Sequence, residues 1–216
     1  MGRRALLPRT TAFVAFAALL IGAAGCGPRP AAEDSSPIDV SQPPEQTAVD
    51  NADPIRLEAN GYEFVITPLA HYVLRGIVVS RESYRTGWNA ELSPCDVAVV
   101  WGELAAGDAW HKLTWSQSGR WYFWKWHGQQ PFTNETVVKN SSNTHVVPAS
   151  SDLAGAARAL APGDIAELTG ELVRIDGRKG REKVWWRSSL SRTDTGDGSC
   201  ELLYLRRLRV NGKVYE

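Results

Sequence analysis

From residue 55 onward, apolar and polar positions alternate in short runs, the period of two expected of half-buried strands. Tyr62-Glu63-Phe64-Val65-Ile66 alternates directly after the turn dipeptide Asn60-Gly61. Ala70 to Ser80 is long and β-branched, and Gly76 inside it predicts a bulge or bend. Asp96 to Gly102 is almost continuously apolar, which predicts a buried strand. His111 to Gln117 and Arg120 to His127 predict a hairpin with Ser118-Gly119 as its two loop residues. Thr133 to Asn140 reads as a short helix capped by Thr133. Asp152 to Leu160 reads as a second helix, capped by Ser151 or Asp152 and closed by Pro162-Gly163. Asp164 to Ile175 is a long strand containing Gly170, with a turn expected to open at Asp176-Gly177 and to include Gly180 further along, and a return over Val184 to Leu190. Cys200 to Val210 is the last long strand, and Asn211-Gly212 turns it into Lys213 to Tyr215.

These elements predict a mainly β (α+β) domain, a small bent sheet or OB-like barrel with one or two short helices. Glycines inside long strands, at 76 and 170, suit a sheet that bends until it closes. The stretch from the Asp152 helix through GDIAELTGELVRIDG resembles a piece of an OB-type barrel. No repeat, heptad or βαβ rhythm is present.

The predicted hairpin, SQSGRWYFWKWHG, has two unlike faces. In the register set by a Ser118-Gly119 loop, Leu113, Trp115, Tyr122, Trp124 and Trp126 form a core face. Trp121, Phe123 and Lys125 share the other face with Lys112, Thr114 and Ser116, and Lys112 opposes Lys125. Rings rimmed by polar groups are a surface on which sugars, peptides or bases dock; the alternative is a face covered by the Asp152 helix or the rest of the sheet.

The first 54 residues follow other rules. Arg3, Arg4 and Arg9 precede an apolar run from Ala12 to Ala24, too short to span a bilayer. Residues 1–25 therefore predict a signal peptide. Ala23-Ala24-Gly25-Cys26 resembles a bacterial lipobox, with Ala23 where Leu is commoner, and implies a lipid on Cys26. Arg3-Arg4-Ala5-Leu6-Leu7 faintly resembles a twin-arginine signal. Residues 26–54 carry six acids, one arginine and six prolines, and predict a disordered tether from the lipidated cysteine to a single domain over 55–216.

Charge narrows the partners. Residues 55–216 hold 20 basic and 18 acidic side chains, too even a balance for nucleic acid to be the expected partner. Nine tryptophans in a chain of 216 residues are the largest compositional departure. Cys95 and Cys200 form a candidate disulfide in an oxidising compartment, or else two buried thiols. His71, His111, His127 and His145 lack zinc-site spacing, and Asp194-Thr-Gly-Asp-Gly fails the calcium-loop pattern, so neither metal nor cofactor is predicted. Ser118 or Ser189 with His145 is the catalytic candidate, without a nucleophile-elbow or S-x-x-K motif. Arg187-Ser-Ser-Leu-Ser-Arg192 offers two guanidiniums to an anion, or to carboxylates of the domain itself.

The motifs SQSGRWYFWKW, SSNTHVVPA, GDIAELTGELVRIDG and WRSSLSRTDTGDGSCELLY are similar, in that order, to an uncharacterised family of bacterial exported or membrane-associated proteins. The resemblance implies an envelope location and supplies no catalytic residue. The expected function is a lipid-anchored, non-enzymatic binding or scaffolding module of the envelope. Its site is Trp121, Phe123, Lys125, Lys112, Arg187 and Arg192, and its partner a cell-wall glycan, a peptide or another envelope protein. An envelope-polymer hydrolase and a purely structural accessory protein are the alternatives.

Overall fold

The computed structural model describes residues 27–50, 52–191 and 200–216. The predicted signal segment, Cys26, Arg192 and the Asp194 to Gly198 loop lie outside the described residues. The strands are β1 (Ala32–Glu33), β2 (Glu45–Ala48), β3 (Ile55–Ala59), β4 (Tyr62–Ser83), β5 (Cys95–Val100), β6 (Thr114–Ser118), β7 (Trp121–Lys125), β8 (Ser141–Pro148), β9 (Ile165–Lys179), β10 (Glu182–Arg187), β11 (Glu201–Val210) and β12 (Lys213–Tyr215). Helix α1 (Asn134–Lys139) precedes β8 and α2 (Ser151–Ala159) follows it, and two 3-10 segments link β5 to β6.

Five strands close a barrel. β4 pairs with β5, β5 with β8, β8 with β11, β11 with β9, and β9 with β4. Only β8–β11 is parallel, and α2 lies between the third and fourth barrel strands in sequence. This is the arrangement of an OB-type barrel. Its interior is apolar, with Leu74, Val97, Val99, Val146, Leu168, Leu172 and Leu203 in one cluster. Leu153, Ala156 and Ala157 of α2 belong to the same cluster, so the helix plugs one end.

Closure depends on the two strand glycines. A Cβ at Gly170 would lie 2.0 Å from the Tyr204 carbonyl oxygen, and one at Gly76 2.4 Å from that of Val100. Register shifts on β4, between Pro68 and Ala70 and between Val78 and Ser80, let this 22-residue strand bend around the barrel.

Several boundaries differ from the sequence reading. The turn does not open at Asp176-Gly177 but falls at Gly180-Arg181: β9 continues to Lys179 because β4 and β10 hydrogen-bond it on both sides. Ser150, not Ser151 or Asp152, caps α2, its hydroxyl accepting from the Leu153 amide. Thr133 caps α1 as expected. Residues 27–50, read from composition as a free tether, are extended but docked. β1 pairs with β12, β2 pairs with β4, and the Gly102 amide donates to the Val40 carbonyl. The acids of the segment meet arginines of the barrel: Asp34 lies 3.1 Å from Arg209, and Glu45 pairs with Arg75. Cys95 and Cys200 are not joined as the candidate disulfide. Cys200 immediately precedes β11, β8 runs between β11 and the β5 strand that carries Cys95, and Cys95 is level with Leu203, three residues further along, so the pair lies beyond the ~7 Å Cα limit for a bridge.

Candidate binding cleft

The β6–β7 hairpin is inserted between the second and third barrel strands and folds back over the outer face of β4, β5 and β8. Its turn is Gly119-Arg120, with φ of 61° and 73°, and Ser118 pairs with Trp121. Both turn residues therefore occupy the left-handed region that a two-residue hairpin loop of this hand requires. The turn lies one residue beyond the predicted Ser118-Gly119. Each cross-strand partner moves by two, so the face assignments survive and the partners change: Trp115 meets Trp124, and Gln117 meets Tyr122. Lys112 does not oppose Lys125, because it ends a 3-10 segment, near the ring of Phe132.

Trp115, Tyr122, Trp124 and Trp126 pack on Ile77, Val79, Ala98 and Val100 of the barrel wall. Polar pins fix the register. Gln117 Nε2 donates to Asn143 Oδ1 at 2.6 Å, Asn143 Nδ2 donates to the Arg120 carbonyl at 2.9 Å, and Tyr122 shares a hydrogen bond with Ser141. The outer side of β8 is thus buried under the hairpin although its residues are polar. Trp121 and Phe123 stay exposed, at 37% and 51%. Helix α2 packs elsewhere and does not cover them.

At the hairpin turn the barrel wall is left open. The Arg120 guanidinium donates from Nη1 to Asp96 Oδ1 at 2.7 Å and from Nη2 to the Ser93 carbonyl at 2.9 Å. It stacks on Tyr84 at 3.7 Å, with Trp186 on another side at 5.3 Å. The other Asp96 oxygen lies 3.0 Å from His145 Nδ1, off the line of a directed hydrogen bond. The His145 ring sits 4.7 Å from that of Trp186. Asp96 has no solvent exposure, and its carboxylate is met by the Arg120 guanidinium, the Tyr84 hydroxyl and the histidine edge. Burial and the Asp96 charge push the Tyr84 phenol up to about 12, so it stays a neutral donor.

Above this group lies a cleft of about 250 Å³. The β4–β5 loop contributes Trp88 and Asn89, the hairpin turn contributes Arg120 and Trp121, and β10 contributes Trp185, Trp186 and Arg187. His145 and Cys200 complete its wall. Among the described residues no carboxylate lines it; Asp96 stands behind Arg120. The loops after the first barrel strand and after the fourth, with the face of the second and third, are where OB-type barrels take ligands. Here the hairpin seals most of that face, and the cleft is what remains.

Of the predicted site residues, Trp121 and Arg187 meet in this cleft with His145. Phe123 and Lys125 continue along the exposed side of the hairpin, and Lys112 is elsewhere. Neither serine joins His145 by a hydrogen bond among the described residues. Ser118 is exposed on β6, and the Ser189 hydroxyl closes a turn on Ser191. Sequence reasoning missed Trp88, Arg120, Trp185, Trp186 and Asp96. The tandem tryptophans were a signal; Asp96, inside an apolar run, was another, because an acid buried in a strand needs a partner. No family model, curated protein or solved structure matches the chain.

Proposed function

We propose that the protein is an exported, lipid-anchored binding module of the bacterial envelope, without catalytic chemistry of its own. Its cleft takes a small flat group that carries a negative charge. The observation behind this reading is the convergence of four indoles, from Trp88, Trp121, Trp185 and Trp186, with the Arg187 guanidinium on the OB-type binding face. Indoles supply flat apolar walls, and a guanidinium offers paired donors to a carboxylate or phosphate. A volume of about 250 Å³ admits one ring or one short side chain, so the ligand is a terminal or protruding group of something larger.

The test is tryptophan fluorescence with calorimetry, using galacturonate, N-acetylated amino acids and inorganic phosphate as probes. One probe class is expected to perturb the emission, and Arg187→Ala and Trp121→Ala are each expected to weaken it at least tenfold. The absence of a response to every probe at 10 mM (roughly the weak limit for specific recognition) overturns the reading. The anchor has its own test: Cys26→Ala is expected to move the protein from the membrane to the soluble fraction, and unchanged partitioning of a processed chain overturns lipidation.

A further inference from the structure

A second depression lies outside the barrel, where β3, β4, β9 and β10 form a four-stranded antiparallel sheet. Its volume is about 680 Å³. One face of this sheet packs Leu57, Phe64, Ile175 and Val184 into a core cluster. The opposite face, one residue out of phase, forms the trough.

The charges of the trough are arranged unusually. Three cations, Arg56, Arg178 and Lys183, share it with three carboxylates, Glu58, Glu63 and Asp176. Across the strands, Glu58 is directly opposite Glu63, and Lys183 is directly opposite Arg178. Just beyond, Arg187 is opposite Arg174. Like charges in directly opposed positions destabilise a sheet, and a merely solvated face gains by alternating signs. The Glu63–Arg178 contact at 3.3 Å and the Arg174–Asp176 pair at 2.7 Å offset only part of this. In the next row, Val65 and Asp176 lie between Arg56 and Trp185. The Trp185 side chain stands open to solvent at 69%, although buried clusters for an indole lie one residue away at Trp186.

We infer that this trough is a carbohydrate-binding surface for an uncharged, extended oligosaccharide; it adjoins the anionic cleft, Trp185 lining both, but does not rest on the cleft's proposed ligand. A free indole face stacks on the C–H face of a sugar ring. Carboxylates on the β3–β4 side accept from vicinal hydroxyls, and cations on the β9–β10 side donate to them, as charge-assisted hydrogen bonds. Equal numbers of both signs give no preference for an ion. A ligand without net charge but rich in donors and acceptors relieves both like-charge pairs of the row Glu58–Glu63–Arg178–Lys183 at once. An added peptide strand is disfavoured by the charged side chains of the edge strand β10, Glu182, Lys183 and Arg187.

The full-length protein is titrated calorimetrically with three probes. They are a neutral tetrasaccharide series (cello-, malto- and chitotetraose), tetragalacturonate, and the peptide Ac-Glu-Ala-Ala-Lys-NH2. At least one neutral tetrasaccharide is expected to bind. Glu58→Ala combined with Lys183→Ala is expected to weaken it at least fivefold, and Trp185→Ala at least tenfold. Trp121→Ala, which alters only the cleft, is expected to leave it unchanged. The Glu58→Ala, Lys183→Ala protein is expected to melt no lower than the parent, since it loses two like-charge contacts, so a binding loss there is not unfolding. No binding of any neutral tetrasaccharide overturns the proposal. So does preference for the peptide or tetragalacturonate with the same sensitivity at Glu58 and Lys183. Loss of galacturonate or phosphate binding through Arg187→Ala concerns the cleft alone.

Discussion

Arg120 and Asp96 are 2.7 Å apart, and they join two parts of the chain that share no backbone pairing. Asp96 is an outward side chain of a barrel strand, and Arg120 is the second residue of a hairpin turn at φ 73°. The pair buries a carboxylate completely and pins the hairpin on the wall. Arg120→Ala leaves that carboxylate without its cation, which costs about 3–5 kcal/mol. Urea unfolding is expected to show a loss of that size, with the tryptophan emission of the hairpin shifting to the red. Arg120→Lys restores less than half, because one ammonium cannot span Asp96 and Ser93 together.

Gly170 is set by closure of the barrel, not by its own φ. Its missing Cβ would meet the Tyr204 carbonyl oxygen at 2.0 Å, and backbone cannot retreat as a flexible side chain can. Gly170→Ala is expected to destabilise the domain by about 2–3 kcal/mol, the upper range for overpacking. Thermal melting checks it, and Gly180→Ala is the contrast, with open space around its Cβ and only the cost of φ 60°.

Acid is expected to loosen the arginine side of the barrel first. Burial raises the Glu167 carboxyl, but hydrogen bonding from Arg75 and the charges of Arg209, Arg75 and Arg207 outweigh it and hold the group below its ordinary value. A carboxylate lowered by folding adds stability that is present above the unfolded value and lost as pH falls through the folded one. The melting temperature is expected to be flat from neutrality to about pH 5 and to fall below it. Glu167→Gln lowers the plateau and flattens that fall. An unchanged slope in the variant counts against this assignment.

Cys95 is buried, and burial pushes its thiol up to about 11. In the folded protein it is expected to resist iodoacetamide at pH 8 for hours and to react within minutes in 6 M guanidinium. Mass spectrometry after non-reducing digestion is expected to show no Cys95–Cys200 peptide. Such a peptide would require β8 to leave its place between the two strands.

Much of the fold was legible locally. Period-two alternation placed most long strands, and dipeptides such as Asn60-Gly61 and Asn211-Gly212 placed hairpins, because left-handed turn geometry is a property of the residues themselves. The hairpin faces were legible for the same reason. A turn displaced by one residue shifts each partner by two, and a period of two is blind to that shift. The site was only partly legible. Trp121, Arg187 and His145 stood out by type, yet nothing local joins residues 88, 120, 145 and 186.

The sequence alone determined that this is a β protein, which faces of its hairpin look inward, and where the Asn-Gly hairpins turn, since those follow from backbone sterics and the burial of apolar groups. The tertiary structure decided the rest: that β9 meets both β4 and β11 and closes the barrel, that the acidic N-terminal segment lies clipped to arginines of the wall, and that the β4–β5 loop, β7 and β10 bring four indoles to one cleft. These contacts link residues far apart in sequence. Their energies depend on packing and on the desolvation of particular charges, which no local pattern records.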